Sequence, residues 1–306
     1  MKELKAVLGI FCMRLVALLP LSMAQWLGRC MGRWIYRQGD KQRLYTNTRI
    51  NLELCFPEMP KAERDKLTKK SLENTGCSLA EMGVSWIWSP ERVLEKVKSV
   101  VGEDLIADEL NNGRGILLIA PHLGNWEVMN LYLSRRYPVT AMYKPPRQKK
   151  FDELILKRRA RLGSKMAPAD TRGVRMLIKA LRGGEIVGVL PDQEPDREGG
   201  VFVPFFGQPA LTMKLFPQLA AQTGVTVISG YAKRLENGEG FELRFAKAEA
   251  EINNKDVQIS AAAMNRSIEH CVNECPEQYQ WEYKRFHSRE DGSDNPYRLP
   301  YRLPRR

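Results

Sequence analysis

The fold turns on one stretch, Gly115-Ile116-Leu117-Leu118-Ile119-Ala120-Pro121-His122-Leu123-Gly124-Asn125-Trp126-Glu127. Its first six residues are apolar without interruption, the pattern of a short strand buried on both faces. The strand ends directly in Pro121-His122. Asn125 then supplies an N-cap and Glu127 a first-turn acid for a following helix. A buried strand running straight into a helix is the first half of a strand–helix–strand unit.

The same texture recurs downstream. Short apolar runs predict strands at 139–143, 185–190, 225–231 and 241–245, with helical stretches at 126–135, 151–162, 174–181 and 213–223 and a last helix over 260–272. That alternation predicts an α/β fold with a mainly parallel, helix-flanked sheet. Upstream, residues 40–112 read as helical. Pro60 opens a helix passing Lys70 toward Glu81 and Trp86, and Ser89-Pro90-Glu91 provides an N-cap, an N1 proline and a first-turn acid for the next. No repeat at periods of 20–50 residues is visible.

Composition excludes several classes. The chain has 306 residues, 43 % hydrophobic and 27 % charged, so it carries enough apolar material for a core and is not disordered throughout. Six cysteines are too few for a disulfide scaffold. Lys and Arg number 48 against 36 Asp and Glu, a net charge of +12 that implies an acidic partner: nucleic acid, anionic lipid or an acidic carrier protein. The excess is localised. Between Arg135 and Lys165 eleven Lys or Arg stand against Asp152 and Glu153, a net of +9. Arg159 and Arg161 in that segment are candidates for phosphate, because the guanidinium fork matches it in two-pronged fashion.

The ends differ from the body. Glu3 and Asp40 have no acid between them, and Ala6 to Ala24 is apolar apart from Arg14, Pro20 and Ser22. A bilayer core takes about 20 helical residues, so the segment is just long enough to cross, although Arg14 and Pro20 weaken that reading. Residues 1–38 are therefore expected to form a membrane-associated segment, transmembrane or interfacial, with Pro20 opening a second helix toward Tyr36. A buried core helix and a cleaved signal peptide are the alternatives; an arginine in the apolar region argues against the latter. Residues 39–287 then form the α/β body. Residues 288–306, with a doubled Tyr-Arg-Leu-Pro, read as a flexible basic tail.

In open α/β sheets ligands gather beyond the carboxyl ends of the strands, which is where His122 falls. If the loop folds back, the Glu127 carboxylate holds one ring nitrogen and the other faces the crevice as a general base. Asn125 with Glu127 is equally an ordinary helix start, so the residues alone leave that dyad open. Asp192 follows the strand at 185–190 and suits a crevice role orienting substrate or a cation. As a calcium loop, Asp192–Asp196 fails, with Arg197 and Val203 where glycine and glutamate are needed. His270, Cys271 and Cys275 share a helical face without a second ligand pair and read as packing. No Gly-x-Ser-x-Gly, GxxxxGK[ST] or GxGxxG motif occurs, and nothing calls for a metal or cofactor.

Several ordered motifs carry a resemblance over nearly the whole chain, to Phe286. They are Arg49-Ile50-Asn51-Leu52 with Cys55-Phe56-Pro57, His122-x4-Glu127, Asp192-Gln193 and Val203-Pro204-Phe205-Phe206-Gly207, then Pro276-x-Gln278-x2-Trp281 with Lys284-Arg285-Phe286. The set resembles the late (secondary) acyltransferases of lipid A biosynthesis, lauroyl and myristoyl transferases similar in turn to the glycerolipid acyltransferases. The resemblance implies a glycerolipid-acyltransferase-like fold, with His122 and Glu127 as the catalytic pair. It implies acyl-carrier protein as the acyl donor and a 3-hydroxyacyl hydroxyl of a Kdo-bearing lipid A precursor as the acceptor, with no covalent enzyme intermediate. Arg159 is then expected at a phosphate or oxyanion, and Phe205 and Phe206 in the acyl slot, unless that aromatic pair is plain core. The place of work would be the cytoplasmic side of a bacterial inner membrane, among its lipids and away from nucleic acid. Another glycolipid or a lysophospholipid as acceptor is the alternative. A basic nucleic-acid-binding protein is the rival from a different class, without RNP aromatics or zinc spacing to support it.

Overall fold

The computed structural model describes residues 2–146 and 148–298. Helices α1 (Lys2–Val16), α2 (Leu21–Gln38), α3 (Arg43–Cys55) and α4 (Lys61–Ile87) lead into the short α5 (Pro90–Leu94). The two proline signals hold: Pro60 stands at the N-cap of α4, and the Ser89 hydroxyl accepts a hydrogen bond from the Arg92 N–H at 3.3 Å to start α5. After them come β1 (Val97–Val101), α6 (Glu103–Asn111), β2 (Ile116–Ile119), α7 (Trp126–Arg136), β3 (Val139–Tyr143) and α8 (Lys149–Arg159). Next are β4 (Lys165–Pro168), α9 (Thr171–Arg182), β5 (Ile186–Val189) and the hairpin β6 (Gly200–Phe205) with β7 (Gln208–Met213). The chain continues through α10 (Leu215–Thr223), β8 (Thr226–Arg234), β9 (Phe241–Lys247) and α11 (Val257–Glu274).

Seven strands form one sheet in the order β1-β9-β8-β2-β5-β3-β4, parallel except for the antiparallel β8–β9 pair. The expected α/β class with a mainly parallel sheet is what the structure has. Alternate side chains of the central strands enter separate cores, as the strand period of two requires. Leu117, Ile119, Val187 and Val189 join residues of α3, α9, α10 and α11 on one face. Ile116, Leu118, Ile186 and Ile228 join residues of α2, α4, α6 and α7 on the other. His122 lies past the end of β2, the central strand. Because β2 pairs with β5 in register (Ile119 opposite Val189), the loop after β5 emerges beside it.

The N-terminal segment departs from expectation. The apolar run is divided between α1 and α2, with Pro20 at the N-cap of α2, and no helix among the described residues is long and apolar enough to cross a membrane. Proline has no N–H to continue α1, so the chain turns there. Helix α2 then lies tightly along α4: a Cβ at Gly28 would stand 2.5 Å from the Gly76 carbonyl oxygen, and one at Gly32 2.2 Å from that of Leu72. The expected transmembrane helix is thus corrected to two helices packed on the body. Both, and the turn between them, leave large apolar side chains exposed, among them Leu8, Phe11, Leu15, Leu18, Trp26 and Trp34.

At the other end, residues 288–298 are held against the body by Tyr297, which is buried. Its hydroxyl donates to the Asn51 side-chain oxygen and accepts from the Phe286 N–H at 3.1 Å. The second Tyr-Arg-Leu-Pro copy lies outside the described residues, as does Arg147 of the basic segment.

Candidate active site

The loop after β2 is fastened on both sides. Gly124 has φ +61°, and a Cβ there would meet the Ala232 carbonyl oxygen at 2.0 Å, so glycine lets the chain turn against β8. The Asn125 N–H donates to that carbonyl at 2.8 Å, and the Gln280 N–H donates to the His122 carbonyl at 3.1 Å. The Asn125 side chain caps α7 by accepting from the Val128 N–H at 3.1 Å, and its amide donates to buried Glu81 at 3.0 Å. His122 therefore projects from a loop whose backbone has little room to move.

The partner of His122 is Asp192. Nδ1 lies 2.7 Å from one Asp192 carboxylate oxygen, and the His122 backbone N–H donates to the other at 2.8 Å. Burial pushes the Asp192 carboxyl up, but attraction to His122 and the hydrogen bonds from its ring and backbone outweigh this and hold it below the usual carboxylate range. An ionised carboxylate only accepts, so Nδ1 carries a proton, and in the neutral imidazole the lone pair is on Nε2. The Gln193 amide nitrogen stands 3.3 Å from Nε2, and Gln193 also donates to the Gln280 side-chain oxygen at 3.3 Å.

Glu127, expected on the imidazole, is held elsewhere. Its carboxylate accepts from the Arg159 Nε at 3.0 and 3.1 Å and also from Nη2. The acid is buried in the first turn of α7, which directs it to the side of the helix facing α8 and away from the ring nitrogen that Asp192 occupies. Arg159 stays charged: burial opposes the charge, but Glu127 more than compensates. Its Nη1 has no partner among the described residues.

Two cavities flank Trp126, whose indole meets the His122 ring edge-on at 5.0 Å between centroids. One, with about 500 Å³ of empty space counted to its mouth, runs under α7. Leu118, Met129, Leu133, Val139 and Leu190 line it, and Glu127 and Arg159 stand in its wall. The other, about 240 Å³, is polar and borders His122 itself, with Thr75, Ser78, Gln280 and Glu282 around it. Burial pushes the Glu282 carboxyl up from its ordinary value. Sequence reasoning did not single out Gln280 or Glu282, although the Pro276-x-Gln278-x2-Trp281 motif runs through that segment.

Three expected ligand residues sit elsewhere. Arg161 donates to the carbonyls of Trp88 and Ser85, both at 2.7 Å, and so closes the C-terminal end of α4 instead of meeting phosphate. Phe205 and Phe206 do not line the apolar cavity. Phe205 is 1 % exposed in the opposite core, and Phe206 packs on Phe56 and Trp281 from the β6–β7 turn, where its φ is +47°. Their apolar surface is spent on a cluster of aromatics that includes Tyr279 and Phe286. Cys271 and Cys275 are buried as packing, and no set of metal-ligating side chains is grouped among the described residues.

The site thus holds a histidine bonded to an acid at a strand end, with an apolar cavity on one side of Trp126 and a polar one on the other. The description "bacterial lipid A biosynthesis acyltransferase" matches residues 1–288. The chain belongs to that family. It is 32 % identical over 291 residues to the lipid A biosynthesis lauroyltransferase of Escherichia coli K12, covering 95 % of this chain and 94 % of that one. The palmitoleoyltransferase of the same organism is 30 % identical over 81 % of this chain and 80 % of its own length. Its myristoyltransferase is 26 % identical over 95 % and 89 %. The protein is accordingly an acyltransferase of lipid A biosynthesis, and its family implies a lipid A acceptor.

Proposed function

We propose that the protein moves a fatty acyl chain from acyl-carrier protein to a 3-hydroxyacyl hydroxyl of a Kdo-bearing lipid A precursor. The observation that carries this reading is His122: Asp192 fixes its Nδ1 proton, and Nε2, with only the Gln193 amide at 3.3 Å, faces the polar cavity, with the apolar cavity behind Trp126. The acceptor hydroxyl gives its proton to Nε2 while its oxygen attacks the thioester carbonyl. The tetrahedral intermediate collapses, the C–S bond breaks, and the departing thiolate takes the proton back from the imidazolium. No enzyme nucleophile is needed. The acyl chain occupies the cavity under α7, and Arg159, with Nη1 unspent, donates to the developing oxyanion from its wall while Glu127 holds the guanidinium in place.

The protein is proposed to work at the cytoplasmic side of the inner membrane. Exposed Leu8, Phe11, Leu15, Trp26 and Trp34 on α1 and α2, with Leu18 in the turn between them, suit a helical pair lying in the headgroup layer, where tryptophan is favoured. Helix α8 lies beside α1 and exposes Lys149, Lys150 and Lys157, which suit anionic headgroups.

Purified protein assayed with acyl-carrier donors and an underacylated lipid A tests the reaction. His122→Ala is expected to cost about 10²–10⁴-fold in turnover with the fold intact. Asp192→Asn should also fall, because an amide lets the ring take the other tautomer. Near-normal turnover in His122→Ala refutes the mechanism. Unaltered lipid A in a strain lacking the protein, with changed phospholipid acylation, shifts the acceptor to a lysophospholipid.

A further inference from the structure

Helix α9 carries a feature the reaction does not use. Arg172, Arg175, Lys179 and Arg182 are all exposed and follow one another at three- and four-residue spacing, so they share about a quarter of the helix circumference. No acid lies within the helix, and none of the four has a partner among the described residues. Each successive pair is a like-charge pair at i,i+3 or i,i+4, which destabilises a helix. Arg172 also sits in the first turn, where the helix dipole repels a cation. No ion pair among the described residues offsets this arrangement. An acidic partner would relieve every one of these repulsions.

The placement selects the partner. Leu177, Ala180 and Leu181 seat α9 on the sheet face shared with α10 and α11, whereas the apolar helices α1 and α2 belong to the opposite face. A bilayer that receives Trp26 and Trp34 therefore lies across the sheet from the stripe, and α8 already faces that side. Yet the stripe begins at the active-site edge. The Ala169 N–H, in the loop before α9, donates to the Tyr143 carbonyl at 3.1 Å, and the Tyr143 ring lies 5.5 Å from the Arg159 guanidinium carbon at the cavity wall. A soluble acidic protein on α9 would stand near the Arg159 side of the cavity without meeting the membrane.

We infer that the Arg172–Arg175–Lys179–Arg182 stripe of α9 is the docking surface for the acidic carrier protein, an acidic helix lying along it. The inference rests on the donor proposed above. Charge complementarity of this kind acts mainly on encounter and is weakened by salt.

The test uses full-length protein and a triple charge reversal, Arg172→Glu with Arg175→Glu and Lys179→Glu, since these side chains are exposed and outside the catalytic machinery. Lauroyl-loaded acyl-carrier protein is one donor and lauroyl-pantetheine the other, with direct binding of unacylated carrier measured separately. The expected result is a KM for the loaded carrier raised about tenfold or more with kcat unchanged, equal turnover of the small thioester, and weakened carrier binding. An unchanged KM overturns the docking assignment while leaving the donor intact. Wild-type protein that neither turns over the loaded carrier nor binds it overturns both. Loss of binding to anionic vesicles with an unchanged KM assigns the stripe to lipid, and that also overturns the inference.

Discussion

The molecule contains two glutamate–arginine pairs within reach of the same loop, and they are built differently. Glu81, in α4, is fully buried and so, nearly, is Arg234 at the end of β8. Each oxygen of Glu81 takes a contact from Arg234 and another from elsewhere: Gln25 donates at 2.7 Å and Asn125 at 3.0 Å. The Arg234 guanidinium also donates to Asn74 at 2.8 Å and Ser78 at 3.0 Å. The network joins α2, α4, β8 and the cap of α7, and every charged atom in it is used. The Glu127 carboxylate and the Arg159 guanidinium hydrogen-bond only to each other among the described residues, and they face a cavity. A saturated pair has nothing left for a ligand, whereas an unsaturated one at a cavity wall still does.

The strongest way to break this contrast is Glu81→Ala. It leaves Arg234 charged and buried, a loss of about 3–5 kcal/mol. Thermal or denaturant unfolding should show a large drop in stability, while turnover per folded molecule falls less than in Arg159→Ala, since Glu81 reaches the site only through the Asn125 amide. A variant as stable as the parent would mean that the network is ornamental.

Arg159→Ala comes next. Removing one oxyanion donor costs about 10²–10³-fold in turnover, about 2.7–4 kcal/mol, while unfolding should move less than for Glu81→Ala because Arg159 is partly exposed. Lysine should not rescue it, since the two-pronged grip on Glu127 needs the guanidinium fork. Equal loss of stability in both variants would place the two pairs in one structural class.

The same contrast shows what the sequence could reveal. The apolar run 115–120, the Asn125 cap, Pro60 and Ser89-Pro90 act through neighbours in the chain, and they were legible. β4 was not: Lys165-Met166-Ala167-Pro168 is an edge strand of four residues with little apolar signal. The β6–β7 hairpin shows in the sequence only as Val203-Pro204-Phe205-Phe206-Gly207, and its turn, with Gly207 at φ +73°, is fixed by the pairing of the two strands. His122 and its strand-end position were readable. Its partner was not, because Asp192 is brought to it by the β2–β5 register, 70 positions along the chain. Local spacing favoured Glu127, which stands five residues away. Glu81 had no signal at all, being one acid in a 27-residue helix that gains its meaning from β8.

The smallest effect sharpens the contrast from its structural side. Cys77 lies one helical turn before Glu81 in the α2–α4 contact, its thiol 3.4 Å from the Gln25 carbonyl, and burial pushes it up to about 11. A thiol raised in the folded state stays protonated there after the unfolded chain has ionised. The unfolded state then binds fewer protons, so stability is constant at neutral pH and falls as pH rises past the ordinary thiol value toward 11. The loss reaches on the order of 1 kcal/mol by pH 10. Cys271 and Cys275, pushed up to about 11 and about 12, add to the same slope, so comparing Cys77→Ala with the parent at pH 8 and pH 10 isolates the share of Cys77. Native alkylation at pH 8 should meanwhile reach exposed Cys12 and spare Cys77 until the protein unfolds. Ready alkylation of Cys77 in the folded protein would show that the α2–α4 contact opens, and with it the wall that keeps Glu81 and Arg234 from water.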